Sequence, residues 1–233
     1  MAGPAPIITG YQGQSLPFRL TTPLNAPAGV GVVFPGAAYS QDRPLCATTR
    51  DVLAGVGLEV FLPERYYGMD PALSALTGEA REACIATDSG AFARVAFERA
   101  AGRPVILAGK SLGTSAIAHA CIQVPDLAAG ASIWLTPLWK DEAVFNTIAA
   151  AGARAFVFIG SADPQWDTSL LEMLQKKAMR VAKSLPVVVV VEGADHSMTV
   201  AGNAAATARA LVDLKPALAA FVAGVMRPTA PTL

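Results

Sequence analysis

Six short apolar and β-branched runs, each bounded by Gly or Pro, alternate along this sequence with segments long enough to be helices. The runs are GVGVVF (29–34), LEVFLP (58–63), PVILAG (104–109), ASIWLT (131–136), RAFVFIG (154–160) and PVVVVVEG (186–193). Helical stretches cover about 43–55, 74–101, 112–124, 140–151, 166–184 and 203–226. A strand with one wet face alternates apolar and polar residues; these runs are apolar throughout, so both faces are covered. The alternation predicts an α/β fold, a mainly parallel twisted sheet with helices on both faces. Within residues 1–28, IITGYQ and SLPFRLTT predict an antiparallel hairpin at one edge, and RPTAPTL (227–233) reads as a loose tail. No repeat, low-complexity tract or long linker divides the chain, so one domain is expected over residues 1–233.

Composition narrows the partners. Hydrophobic residues at 53% against 15% charged exclude a disordered chain. Eighteen Lys+Arg balance eighteen Asp+Glu, leaving no net field to attract nucleic acid or an anionic membrane. MAGPAPIITGYQGQ has no basic residue and no long apolar core, unlike a secretory signal, and no apolar run has membrane-spanning length. Cys46, Cys84 and Cys121 are odd in number and scattered, which fits neither a disulfide framework nor a metal cluster. The expectation is a cytoplasmic protein that meets a small molecule, with no nucleic acid, no membrane, and no metal or organic cofactor. No pattern sets an oligomeric state.

In a parallel sheet, ligands bind at the carboxyl ends of the strands. There the run at 104–109 breaks into Gly109-Lys110-Ser111-Leu112-Gly113 and a helix follows. G-x-S-x-G is a weak pattern alone; between a strand and a helix it is a sharp turn that exposes the serine at the top of the sheet. The two glycines let strand and helix approach without Cβ clashes, and the hydroxyl stands beside the positive end of the helix.

A serine hydroxyl needs a base, usually histidine. Of two histidines, His119 lies eight residues beyond Ser111 on the same helix and points away, as a packing or surface residue would. His196 follows the most apolar run and falls in a loop at the same end of the sheet as Ser111. Asp163, in FVFIGSADPQWD, follows the preceding strand, whose loop should meet that of His196. Aspartate before proline is also a common turn former, so a structural role is open too. Asp195 adjoins His196 in sequence and cannot easily turn onto its ring, and Asp167 falls in the first turn of a helix. Ser111, Asp163 and His196 are therefore the candidate nucleophile, acid and base.

These residues, in GKSLGTS, GSADP and GADHSM, make the chain resemble the α/β-hydrolase family of serine hydrolases, in a small, lidless, esterase-like or dienelactone-hydrolase-like form, from about Gly29 to Met226. The resemblance implies that Ser111 attacks a carbonyl, His196 acts as base and then acid, and Asp163 orients His196, cleaving ester-type bonds of small acyl substrates through an acyl-enzyme. It further implies oxyanion donors at the backbone N–H groups of Leu112 and Ala37. In many relatives the loop after the first parallel strand reads HGGG, where this chain has Phe34-Pro35-Gly36-Ala37-Ala38. Gly36 still permits a backbone turned toward substrate, while Pro35 has no N–H.

Tyr39, Trp139, Trp166 and Met198, with Gly36, are the candidate substrate contacts, and Tyr66 and Tyr67 also fall at a strand end; packing is the competing reading for each aromatic. Lys110 reads as solvated or ion-paired, or as an attractor for an anionic substrate. Only 17 residues (137–153) separate two strands where relatives insert a cap, so no cap domain is expected, although 63–103, with Gly68, Pro71 and Gly78, could supply a flap. Three rival readings remain: thioesterase, peptidase, acyltransferase or other chemistry on the same fold; a non-catalytic binding relative; and a phosphate-binding loop, which AGKSLGTS does not match because it lacks the earlier glycine.

Overall fold

A computed structural model describes residues 6–227 and gathers seven strands into one sheet. They are β1 (Phe18–Thr21), β2 (Gly29–Phe34), β3 (Leu58–Pro63), β4 (Val105–Lys110), β5 (Ala131–Leu135), β6 (Ala155–Gly160) and β7 (Val187–Val191), in the order β1-β3-β2-β4-β5-β6-β7. Only β1 runs antiparallel, against β3; the other pairings are parallel. The helices are α1 (Pro44–Gly55), α2 (Pro71–Ser74), α3 (Gly78–Ala100), α4 (Leu112–Gln123), α5 (Glu142–Ala151), α6 (Thr168–Val181) and α7 (Ala204–Val225).

Two cores explain the unbroken apolar runs. Val30, Val32, Leu107, Trp134, Val157 and Ile159 point to one face, under α3, α4, α5 and α6. The alternate residues Val33, Ile106, Ala108, Ile133, Leu135, Phe156 and Phe158 point to the other, under α1 and α7. Every residue of β2 to β6 is buried, whereas the outer strands β1 and β7 are partly exposed. Within β3 the buried charge of Glu59 is met by Arg99 of α3.

The N-terminal hairpin is smaller than expected. Ile8 and Leu16 turn into the core, and a single bridge, Thr9–Ser15, closes a tight loop. The second expected strand pairs with β3 instead, because Pro17 interrupts the ladder and Phe18 packs on Phe61 and Phe92, with ring centroids 5.5 and 5.9 Å away. Of the tail expected over 227–233, only Arg227 lies within the described residues.

Between β5 and β6 the chain makes α5 and one short turn, Gly152–Arg154, so no cap domain is inserted there. Residues 64–77 form a loop carrying the single-turn α2. All three cysteines are buried and unpaired. Among the described residues, no helix is long and apolar enough to cross a membrane.

Candidate active site

Ser111 stands between β4 and α4 with φ 53°, a left-handed conformation that L-residues adopt only when their surroundings impose it. The surroundings are visible at its two glycines. A Cβ on Gly109 would lie 2.2 Å from the Gly113 carbonyl oxygen, and one on Gly113 would lie 2.4 Å from that of Phe34. Strand, helix and the loop after β2 are thus pressed together around the serine, whose N–H donates to Leu135 O at 3.0 Å.

The loop after β7 delivers His196. Asp195 shapes it by accepting from the N–H groups of Ser197 (2.8 Å) and Thr199 (2.9 Å), and Met198 pins it by burying its side chain in the α1–α7 core. The loop after β6 delivers Asp163, and close contacts join the two loops. Ala162 N–H donates to Ala194 O at 3.0 Å, and Gly193 N–H donates to Ser161 Oγ at 2.8 Å.

His196 connects the three candidate residues: Nε2 lies 2.8 Å from Ser111 Oγ, and Nδ1 lies 2.8 Å from Asp163 Oδ2. The Asp163 carboxylate is fully buried, and Oδ1 accepts the Gln165 N–H at 2.8 Å. One oxygen therefore makes the turn that Asp-Pro suggested, and the other holds the imidazole. A buried carboxylate on Nδ1 selects the tautomer with its proton there, leaving the Nε2 lone pair to accept from Ser111 Oγ–H. Proton transfer from Oγ to Nε2 is then geometrically available. His119 instead pairs with Glu82 Oε1 at 2.7 Å, and Asp167 caps α6.

Leu112 opens α4, so its N–H has no acceptor within the helix and adds to the positive end of the helix dipole. Ala37 occupies the tight turn between Gly36 and Tyr39, its carbonyl accepting from Gly68 N–H at 2.8 Å. The turn lies against the elbow, since a Cβ on Gly36 would come 3.3 Å from Lys110 O.

The expected substrate contacts fare unevenly. Met198 is fully buried and Trp139 is 1% exposed, so neither offers a surface to a ligand. Trp139 donates through Nε1–H to Gln165 O and stacks on the half-buried Trp166 at 5.7 Å, buttressing the Asp163 loop. Tyr39 accepts from Leu45 N–H at 3.1 Å through its hydroxyl and packs on the α1–α7 core, so it supports the Gly36–Tyr39 turn from beneath. For all three, packing outweighs exposure. Lys110 is also buried, not solvated.

A narrow crevice adjoins the elbow, lined chiefly by Phe34, Pro35, Tyr67, Phe92, Leu112 and Ala116. At its polar side Asp88 accepts from Tyr67 Oη–H at 3.0 Å and Tyr11 N–H at 2.8 Å, and pairs with Arg65 at 3.2 Å. Burial and the charge of Asp88 push the Tyr67 hydroxyl well above its ordinary pKa. Sequence reasoning missed Arg65, Asp88 and Phe92. A signal existed: Asp88 shares a helical face with Cys84, Ile85 and Phe92, where a charge is out of place unless it is paired.

No family model matches the chain, and no curated protein matches it. Solved structures do. A serine hydrolase without a lid from Xanthomonas campestris is 18% identical with a TM-score of 0.67, the match covering 98% of this chain and 96% of that one. Est1E from Butyrivibrio proteoclasticus, with ferulic acid bound, is 15% identical with a TM-score of 0.68, covering 95% and 99%. Esterase 2 from Thermogutta terrifontis, phosphorylated by paraoxon, is 16% identical with a TM-score of 0.61, covering 96% and 95%. The chain has the α/β-hydrolase fold, with no cap domain among the described residues.

Proposed function

We propose that this protein is a serine hydrolase that cleaves ester bonds of small acyl substrates through an acyl-enzyme on Ser111. The observation that carries the reading is the position of His196, at 2.8 Å from both the Ser111 hydroxyl and the Asp163 carboxylate. Nε2 takes the Oγ proton as Oγ bonds to the substrate carbonyl carbon, and the resulting imidazolium is held by the buried carboxylate. The negative oxygen of the tetrahedral intermediate accepts from the N–H groups of Leu112 and Ala37; losing such a donor typically costs about 2.7–4 kcal/mol of barrier. The imidazolium then protonates the departing alkoxide as the C–O bond breaks. A water, deprotonated by Nε2, attacks the acyl group, and Ser111 regains its proton.

The narrowness of the crevice beside Leu112 supports a small substrate. The esterase name of the Thermogutta neighbour favours esters, and its phosphorylated state suggests a probe. Exposure to a fluorophosphonate followed by intact-mass analysis should give one adduct on the wild type and none on Ser111→Ala. An unreacted wild type would overturn the reading.

A further inference from the structure

Ala37, the second oxyanion donor of the proposed mechanism, sits in a turn that its own hydrogen bond holds loosely. The Ala37 N–H belongs to the same peptide unit as the Gly36 carbonyl, and that carbonyl accepts the Tyr39 N–H at 3.4 Å, beyond the roughly 2.7–3.2 Å of an ordinary N–H···O bond. The shorter tie comes from outside the turn: Gly68 N–H donates to the Ala37 carbonyl at 2.8 Å. Contact there is close, since a Cβ on Gly68 would lie 3.0 Å from that oxygen and 3.3 Å from the Ala37 Cβ. The loop after β3 therefore clamps the turn.

Gly68 is exposed and has no side chain, so its position depends on its neighbours. Those neighbours converge on one carboxylate. Tyr67 donates through its hydroxyl to Asp88 Oδ2 at 3.0 Å, and the Arg65 guanidinium pairs with the same oxygen at 3.2 Å. The other oxygen, Oδ1, accepts the Tyr11 N–H at 2.8 Å. The side chains of Asp88 and Arg65 are only 4% and 10% exposed, so water screens their attraction little. Asp88 itself stands in the middle of α3, a 23-residue helix packed against α4, the helix of the elbow. A continuous path thus runs from α3 through Asp88, the Tyr67 hydroxyl and Gly68 to Ala37, each link a hydrogen bond or a covalent neighbour.

We propose that Asp88 is a positioning residue for the oxyanion hole: through the Tyr67 hydroxyl it fixes Gly68, whose N–H holds the Ala37 peptide against the elbow. The inference rests on the serine-hydrolase reading and gives the two donors different supports. Leu112 N–H is fixed by the first turn of α4, whereas Ala37 N–H is fixed at second hand from α3. Burial and the charge of Asp88 hold the Tyr67 hydroxyl in its protonated form, so it remains a donor across the neutral range.

Tyr67→Phe removes the hydroxyl and keeps the ring that lines the crevice. Losing an oxyanion donor costs about 10²–10³ in kcat, so loosening one should cost part of that, about 3- to 30-fold. Both half-reactions pass through an oxyanion, so kcat should fall with KM little changed, and by the same factor for every acyl chain length. Affinity for a trifluoromethyl ketone, whose oxygen enters the same hole when Ser111 adds to it, should weaken in parallel. Asp88→Asn should lower kcat at least as far. Gly68→Ala presses a Cβ onto the Ala37 carbonyl, and its loss should not multiply with that of Tyr67→Phe in the double variant, because both act on one clamp. A Tyr67→Phe protein with wild-type kcat overturns the proposal. So does a fall confined to particular chain lengths, which would make Tyr67 a crevice wall and nothing more, or a double variant whose losses multiply in full. If Asp88→Asn does not fold, Tyr67→Phe, which lacks one hydroxyl on a half-buried side chain, still decides. The hydrolase reading fails separately: a wild type inert to the fluorophosphonate sinks it, whereas a reactive wild type beside an unimpaired Tyr67→Phe sinks only the role of Asp88.

Discussion

Gly160 and Ala194 are in such close contact that a Cβ on Gly160 would lie 1.9 Å from the Ala194 carbonyl oxygen. This is the seam between the loop of Asp163 and the loop of His196, and backbone on both sides leaves nothing soft to yield. Gly160→Ala should therefore destabilise the fold by about 1–3 kcal/mol or more. It should also reduce turnover beyond the loss of folded protein, because the 2.8 Å contact between His196 and Asp163 spans the seam. Paired thermal melts and labelling rates on the folded fraction check this; equal labelling rates would show that the seam does not set the geometry.

Met198 has φ 62° and a fully buried side chain, an unusual combination for a long residue. Its role is to hold the loop that bears His196. Met198→Ala should cost about 2–5 kcal/mol by leaving a cavity and should slow Ser111 labelling even well below the melting temperature. Urea unfolding with a parallel labelling time course separates the two effects.

Residues of the charge chain should differ in their effects. Ser111→Ala or His196→Ala should reduce ester turnover on the order of 10⁶-fold. Asp163→Asn should cost on the order of 10⁴-fold, because the amide favours the wrong imidazole tautomer. Steady-state rates on a short-chain ester measure all three, and an unimpaired Asp163→Asn protein would remove Asp163 from the proposed mechanism.

Tyr67 closes one side of the cleft. Tyr67→Ala should open it and shift preference toward longer acyl chains, read as kcat/KM across an ester series. An unchanged ranking would place the acyl group elsewhere.

Alkaline stability carries a signature of burial. Cys46 and Cys121 have thiols pushed up to about 12, against 9.0 for a free group. Above the free value the unfolded chain gives up these protons while the folded one keeps them, so stability falls as pH rises from about 9 to about 12. Each thiol contributes at most about 1.4 kcal/mol per pH unit. Urea midpoints between pH 8 and 10.5 should fall less steeply in a Cys46→Ala/Cys121→Ala protein than in the wild type.

What the sequence disclosed and what it concealed divide along physical lines. Strands β2 to β7 were legible because nearly all of their residues are apolar, those of β2 to β6 feeding two cores. Ser111, Asp163 and His196 were legible as neighbours because each directly follows a strand, and parallel strands place such positions at one end. The cleft was not legible. Its wall comes from the β3–α3 connection and from α3, where Tyr67 and Asp88 meet only through tertiary packing 21 residues apart. Trp139 and Met198 misled for a related reason: a large apolar side chain near a strand end fills space under a loop as readily as it lines a cleft. The N-terminal hairpin gave way to pairing with β3 because Phe18 gained aromatic neighbours there.

The outer strand β7 has a consequence for the life of the chain before it is folded. Five consecutive valines present one row of backbone donors and acceptors with no strand beyond them among the described residues, and Val187 and Val190 remain 42% and 38% exposed. Pro186 and Glu192 flank the run, but no charge interrupts it. During synthesis this segment emerges after β6 but before α7, which covers one of its faces. For that interval it is a ready template for another copy of itself, a hazard that ends when α7 packs down.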